Sequence, residues 1–130
     1  MNSVYVEYNP NPALRRVGDC AVRAIAVALS TDWETAYDML ATAGYNMADM
    51  PSSDSVWGAV LRQHGFYRFA ISNDCPDCYS AADFVFDHPK GIYVLGFGGH
   101  VATARDGYLY DSWNSENEIP QFYWTNEMEA

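Results

Sequence analysis

Basic residues are scarce in this chain of 130 residues, which has seven lysines and arginines against seventeen aspartates and glutamates and a net charge of −10 at pH 7. Such a surface repels the phosphates of nucleic acids and the anionic face of membranes, so we expect neither as a partner. Long apolar runs are missing too, and the first residues lack the basic start and apolar stretch of a signal peptide. The sequence therefore predicts no membrane span and no secretion signal.

Cysteine is also rare, and the three cysteines are an odd number that does not fit a disulfide framework. Free thiols are therefore expected, and the cytoplasm is the predicted location. Cys75 and Cys78 form a C-x-x-C pair with only His64 and His88 nearby in sequence. Because a structural zinc ion needs four ligands, we interpret the pair as two loop thiols and predict no metal and no cofactor.

Apolar residues are abundant, at 49% of the chain, and this is enough for one domain with a single core over residues 1–130. Helical spacing of apolar residues predicts a helix over residues 20–29 and a second helix that ends at Gly44. The second half has a continuous apolar run at residues 92–95 and a type I′ hairpin signal at Asp106-Gly107. We therefore predict an α+β domain in which N-terminal helices pack on a C-terminal antiparallel sheet.

Cys20 is the most informative residue, because it follows a Gly-Asp turn and begins a strongly helical segment. The first turn of a helix has unpaired backbone N–H groups and the positive end of the helix dipole, and both stabilise a thiolate. Asp19 is the predicted cap of this helix. Cys20 is therefore a candidate nucleophile.

His100 and Asp111 provide the other parts of a nucleophilic site. His100 begins an apolar strand, and Asp111 ends the strand that pairs with it across the turn at residues 106–107, in a register that puts both side chains on one face. A thiol that attacks a carbonyl needs a base and a group that holds the tautomer of that base. We predict these roles for His100 and Asp111, with Asn114 as a less favoured alternative to Asp111.

These motifs resemble those of papain-like cysteine peptidases. Gly18-Asp19-Cys20 before a small-residue helix is similar to their nucleophile segment, His100-Val101-Ala102 to their histidine strand, and Asp111-Ser112-Trp113 to their Asn-Ser-Trp element. Aspartate in place of asparagine also occurs in the Cys-His-Asp peptidases of bacteriocin-exporting transporters. The chain resembles in particular short papain-like proteins of phages and prophages, which pair a Gly-Asp-Cys helix with a His-Val strand and a Tyr-Asp-x-Trp ending.

The resemblance implies a papain-like fold, a peptide or protein substrate and, for a phage protein, the cytoplasm of a bacterial host. It also implies that Trp113 shields the bond between His100 and Asp111 from water. The leading prediction is a cysteine peptidase or isopeptidase. Transglutaminase-like acyl transfer would use the same three residues, and a non-catalytic scaffold that blocks a host factor would need no reactive thiol. The sequence leaves the oligomeric state open.

The chain departs from the papain pattern at the oxyanion hole. Papains have a glutamine about six residues before the nucleophile, and Leu14 stands at that position here. Asn9 or Asn11 could replace it, with the backbone N–H of Cys20 as the second donor.

Asp19 raises a second question, because a carboxylate beside the thiol would raise the thiol pKa. Arg15, Arg16 or a protonated His100 could offset that charge. Arg23, one helical turn after the thiol, could bind an acidic group of a substrate, but we expect it to be solvated or ion-paired.

We predict that the protein folds without metal, because the C-x-x-C pair lacks a full ligand set. A chelator should leave the midpoint of thermal unfolding unchanged. Stoichiometric zinc in the purified protein, with a large fall in this midpoint after its removal, would contradict the prediction.

Overall fold

A computed structural model describes residues 3–72 and 78–127 of the chain. The elements of these residues are, in chain order, β1 (Tyr5–Glu7), α1 (Cys20–Ala28), α2 (Trp33–Met47), α3 (Asp54–Gln63), β2 (Tyr67–Ala70), α4 (Ala81–Asp87), β3 (Ile92–Phe97), β4 (His100–Arg105), β5 (Tyr108–Asp111) and β6 (Phe122–Thr125). None of the described helices is both long and apolar enough to cross a bilayer.

The strands form one mixed sheet in the order β1-β5-β4-β3-β6-β2. The α+β class is therefore confirmed, whereas the expectation of a C-terminal antiparallel sheet is wrong in two respects. The strand β1 comes from the N-terminal region and runs parallel to β5, and β2 comes from the middle of the chain. A parallel pair needs a long crossover, and the helices between β1 and β5 provide it.

The helix α1 is enclosed by the rest of the fold, because every residue after Cys20 in this helix is buried. It packs against β4 on one side and against α2 on another. Side chains of β4 also bond to its backbone: Thr103 Oγ1 donates to the Ala24 carbonyl at 2.8 Å, and Arg105 Nη1 donates to the Val27 carbonyl at 2.9 Å. These contacts fix the start of α1, and with it Cys20, beside the start of β4.

The turn between β4 and β5 has the conformation that the sequence predicts. Asp106 and Gly107 have φ values of 49° and 90°, as a type I′ turn requires. The predicted register is confirmed for the three pairs from Arg105–Tyr108 to Thr103–Tyr110. Asp111 follows as the last residue of β5.

Two further contacts hold the ends of these strands. Gly98 and Gly99 form a two-residue loop that pairs Phe97 directly with His100, and Gly99 has a φ of 80°, which favours glycine. At the edge of the sheet, next to β5, the backbone N–H of Tyr8, just after β1, donates to the Asp111 carbonyl at 2.7 Å. The backbones of both predicted site residues are therefore held by neighbouring segments.

The prediction that Gly44 ends the second helix is wrong, since α2 continues to Met47 and ends at Ala48 in the left-handed conformation. Gly44 is buried, and a Cβ atom there would lie 2.9 Å from the Asp49 carbonyl oxygen and 3.1 Å from the Pro51 nitrogen. The missing side chain therefore serves close packing of the following loop and not helix termination.

Candidate active site

The structure brings the side chains of Cys20 and His100 together where α1 and β4 begin. The His100 side chain and the backbone of Val101 both interact with the Cys20 thiol and lower its pKa. The Nε2 atom of His100 lies 2.7 Å from Asp111 Oδ2, so Nδ1 is the ring nitrogen that remains for the thiol. The three residues that the sequence singles out therefore meet in one site, with His100 between the thiol and the carboxylate.

Asp111 is fully buried and uses all four of its acceptor positions. Its Oδ2 accepts from His100 Nε2 and from Ser115 Oγ, at 2.7 and 2.5 Å. Its Oδ1 accepts from Arg23 Nη2 at 3.0 Å and from the Ser112 backbone N–H at 2.8 Å. Burial raises the pKa of this carboxyl, but the bonds from His100 and Ser115 and the charges of His100 and Arg23 hold it below its ordinary value. Asp111 is therefore an ionised group held in a fixed orientation.

Asp19 does not cap α1 as the sequence predicts, because its side chain makes no capping hydrogen bond. Its Oδ1 accepts from Arg23 Nη1 at 2.8 Å, and its Oδ2 accepts from Trp33 Nε1 at 2.9 Å. The buried guanidinium needs an anionic partner, and this requirement outweighs the capping bond. The N–H groups that an N-cap side chain would bind therefore stay unpaired by Asp19, and the backbone N–H of Cys20 also makes no hydrogen bond within the described residues. The start of α1 can therefore receive an anion.

The expectation that Arg23 is ion-paired is confirmed, and both of its partners place it in the site. It is 3% exposed and bridges Asp19 and Asp111. A usable signal exists, because Arg23 is the single charged residue of the helical segment CAVRAIAVA and lies four residues after an aspartate. Arg16, one of the cations expected to offset the charge of Asp19, instead forms an exposed salt bridge with Glu7.

The charges of the site favour a thiolate paired with an imidazolium. Burial raises the pKa of Cys20, but the hydrogen bonds with His100 and Val101 and the charges of His100 and Arg23 bring it below its ordinary value. Burial lowers the pKa of His100, whereas the bonds and charges of Asp111 and Cys20 raise it to about 9. At neutral pH the arrangement therefore presents a nucleophile and a proton donor together.

Aromatic rings flank His100. The Trp113 ring centroid lies 4.9 Å from that of His100, and the Phe97 centroid lies at 5.8 Å. The His100 side chain is 15% exposed. Trp113 is therefore placed where it covers the His100 ring, while Asn114 is exposed and bonds to Glu116.

The two candidate oxyanion donors differ in what they bind. Asn9 Nδ2 donates to the Arg15 carbonyl at 3.2 Å. Asn11 is buried, and its Oδ1 accepts from the backbone N–H groups of Ala13 and Arg15 at 2.9 and 3.4 Å. Its Nδ2 makes no hydrogen bond within the part of the chain that the structure describes. Asn11 is therefore the better candidate, whereas Leu14 is an exposed residue.

The C-x-x-C pair differs from its prediction. Cys78 is disulfide-bonded, and the expectation of a free thiol there is wrong. An odd number of cysteines shows only that they cannot all be paired, and it does not exclude one disulfide bond. Cys75 lies outside the described residues. His64 and His88 each direct Nδ1 to a backbone carbonyl four residues earlier. Among the described residues, no three histidine, cysteine, aspartate or glutamate side chains are arranged so that they could hold a metal ion. The cytoplasmic location stays a prediction, without Cys78 as an argument for it.

No protein-family model, curated protein or solved structure matches this chain. The resemblance to papain-like peptidases therefore rests on the motifs alone, and a functional proposal must rest on the site geometry.

We predict that His100→Gln raises the pKa of the Cys20 thiol. The substitution removes a hydrogen bond and a positive charge that lower this pKa and leaves burial, which raises it. The alkylation rate of Cys20 with iodoacetamide at neutral pH should fall by about tenfold for each unit of the shift. The rate is followed against pH by mass spectrometry of the Cys20 peptide.

The matched control is His64→Gln, because His64 bonds only to a carbonyl of its own helix. This variant should keep the wild-type pH profile. An unchanged profile in the folded His100→Gln protein would show that His100 does not activate the thiol.

We predict that Arg23→Met lowers the free energy of unfolding by about 3–5 kcal/mol, because it leaves two buried carboxylates without their shared cation. Urea unfolding at neutral pH measures the change. Arg16→Met is the control, because the contacts of Arg16 with Glu7 and with the Ser112 carbonyl are both exposed, and an exposed ion pair contributes at most about 1 kcal/mol. Equal losses in the two variants would contradict the role of Arg23 as a buried bridge.

Proposed function

We propose that this protein is a cysteine hydrolase that cleaves an amide bond of a peptide or protein, as a peptidase or isopeptidase with a papain-like site. One observation carries the proposal: a thiol at a helix N-terminus without a side-chain cap interacts with a histidine whose ring is hydrogen-bonded to a buried carboxylate. This is the set of parts that acyl transfer to sulfur needs.

The first half of the reaction forms an acyl-enzyme. The Cys20 thiolate attacks the substrate carbonyl carbon, and the carbonyl electron pair moves to oxygen. The His100 imidazolium then donates its Nδ1 proton to the leaving nitrogen, the C–N bond breaks and a thioester remains. A His100 pKa of about 9 keeps this proton available at neutral pH.

The second half restores the enzyme. Neutral His100 takes a proton from water, whose oxygen attacks the thioester carbon. The C–S bond breaks, the carboxylic acid leaves and His100 is again an imidazolium beside a thiolate. Throughout the cycle Asp111 accepts from Nε2–H, which fixes Nδ1 as the nitrogen that exchanges protons.

The tetrahedral intermediate needs donors for its oxyanion. The Cys20 backbone N–H is one candidate, because it is unpaired within the described residues and lies at the positive end of α1. Asn11 Nδ2 is the second, since Asn11 Oδ1 already binds the loop and fixes the amide. These two groups take the place of the papain glutamine in the proposal.

The proposal is tested by incubation of the protein with a peptide library and an ε-lysyl isopeptide series in heavy-oxygen water. We expect new carboxyl termini that contain heavy oxygen, and none with Cys20→Ala. Addition of methylamine separates the alternatives, because acyl transfer would give N-methylamides. Equal products from the wild type and Cys20→Ala, with ordinary thiol reactivity, would favour a non-catalytic scaffold.

On any substrate found, Asp111→Asn should lower turnover by up to about 10⁴-fold, since the wrong His100 tautomer then prevails. The buried pair with Arg23 predicts a loss of stability as well, so turnover is compared below the unfolding transition. Asn114→Ala, an exposed control, should be mild. The opposite ranking would move the orienting role to Asn114.

A further inference from the structure

A cavity of about 380 Å³ lies beside the start of α1. Both sequence neighbours of the nucleophile, Asp19 and Ala21, contribute to its wall, as does Asn11. The volume falls within the range of pockets that bind small ligands. A group bound in this cavity therefore lies next to the backbone of Cys20.

Part of the wall is apolar and contains two stacked aromatic rings, from the partly buried Trp33 and the exposed Tyr37. The ring centroids of Trp33 and Tyr37 are 5.0 Å apart and their planes differ by 25°. Trp33 Nε1 donates to Asp19, so the polar edge of the indole is already bonded and the ring contributes an apolar surface. Val22 and Leu40 complete this wall. Such a surface favours an apolar and especially an aromatic guest.

The wall of the cavity includes the side-chain donors of Asn11 and Arg15, together with Ser52, whose hydroxyl can donate or accept. Asn11 Nδ2 makes no hydrogen bond within the described residues, and the exposed Arg15 guanidinium has no ion-pair partner among them. The one carboxylate in the wall, Asp19, is paired with Arg23. The cavity therefore suits a guest with an apolar side chain and a carbonyl oxygen, and its charges disfavour a cationic guest.

We propose that this cavity binds the side chain of the residue whose carbonyl Cys20 attacks, and that it selects a large apolar residue, preferably aromatic. This inference rests on the proposed function. We assign the cavity to the residue that carries the attacked carbonyl, because Asn11 both lines the cavity and is a candidate oxyanion donor. A substrate with its carbonyl oxygen at Asn11 has its own side chain nearest to this wall.

The test compares N-acetyl-phenylalanyl and N-acetyl-alanyl chloromethyl ketones, with which the thiolate forms a C–S bond as chloride leaves. The phenylalanyl probe should label Cys20 at least about tenfold faster than the alanyl probe. Tyr37→Ala should reduce this ratio, because it removes one of the stacked rings. Tyr45→Ala, an exposed tyrosine of the same helix outside the cavity, should keep the ratio.

A second measurement separates the cavity from the chemistry. In the Cys20→Ala protein, N-acetyl-phenylalanine amide should shift the Trp33 indole N–H resonance in a saturable way, and N-acetyl-alanine amide should not. This shift together with a slow iodoacetamide reaction in the wild type would retain the cavity and reject the proposed function. A fast iodoacetamide reaction with no phenylalanyl preference and no shift would overturn the cavity proposal alone.

Discussion

The buried guanidinium of Arg23 is the constraint on which the site depends. It cannot be buried without anionic partners, and the fold supplies Asp19 from the start of α1 and Asp111 from the end of β5. Through these two carboxylates it ties the nucleophile segment to the strand that orients His100. Negative and positive charges then alternate along the series Asp19, Arg23, Asp111, His100 and Cys20, so each charge stabilises the next.

Because Asp19 binds Arg23, the helix α1 lacks the stabilising hydrogen bond of a side-chain cap, and its N-terminus stays open beside Cys20. An aspartate that caps a helix typically contributes about 1 kcal/mol, and Asp19 makes no such bond. The first turn therefore keeps unpaired N–H groups beside the thiol, as anion binding requires. Natural sites often contain such departures from local rules, which are compensated elsewhere in the structure.

The sequence signals for the site were strong where they were local. Cys20, His100 and Asp111 each lie at the end of an element beside a turn with distinctive residues, so spacing and hairpin register were enough to group them. The diversion of Asp19 by Arg23 was not predictable from capping preferences, because it depends on how deeply α1 is buried. The parallel pairing of β1 depends on contacts more than a hundred residues apart, which no local pattern encodes.

The bond from the Tyr8 N–H to the Asp111 carbonyl has a consequence for the order of assembly. The helix α1 and the hairpin of β4 and β5 must both be in place before the Asp111 carboxylate has its partners Arg23 and His100, and the Tyr8 bond adds the pairing of β1 with β5. Contacts of such sequence separation slow folding. Until then Cys20 is an ordinary thiol in a mobile chain. Under the proposed function, the protein would acquire a reactive sulfur only when it is folded, and the growing chain would be protected from its own chemistry.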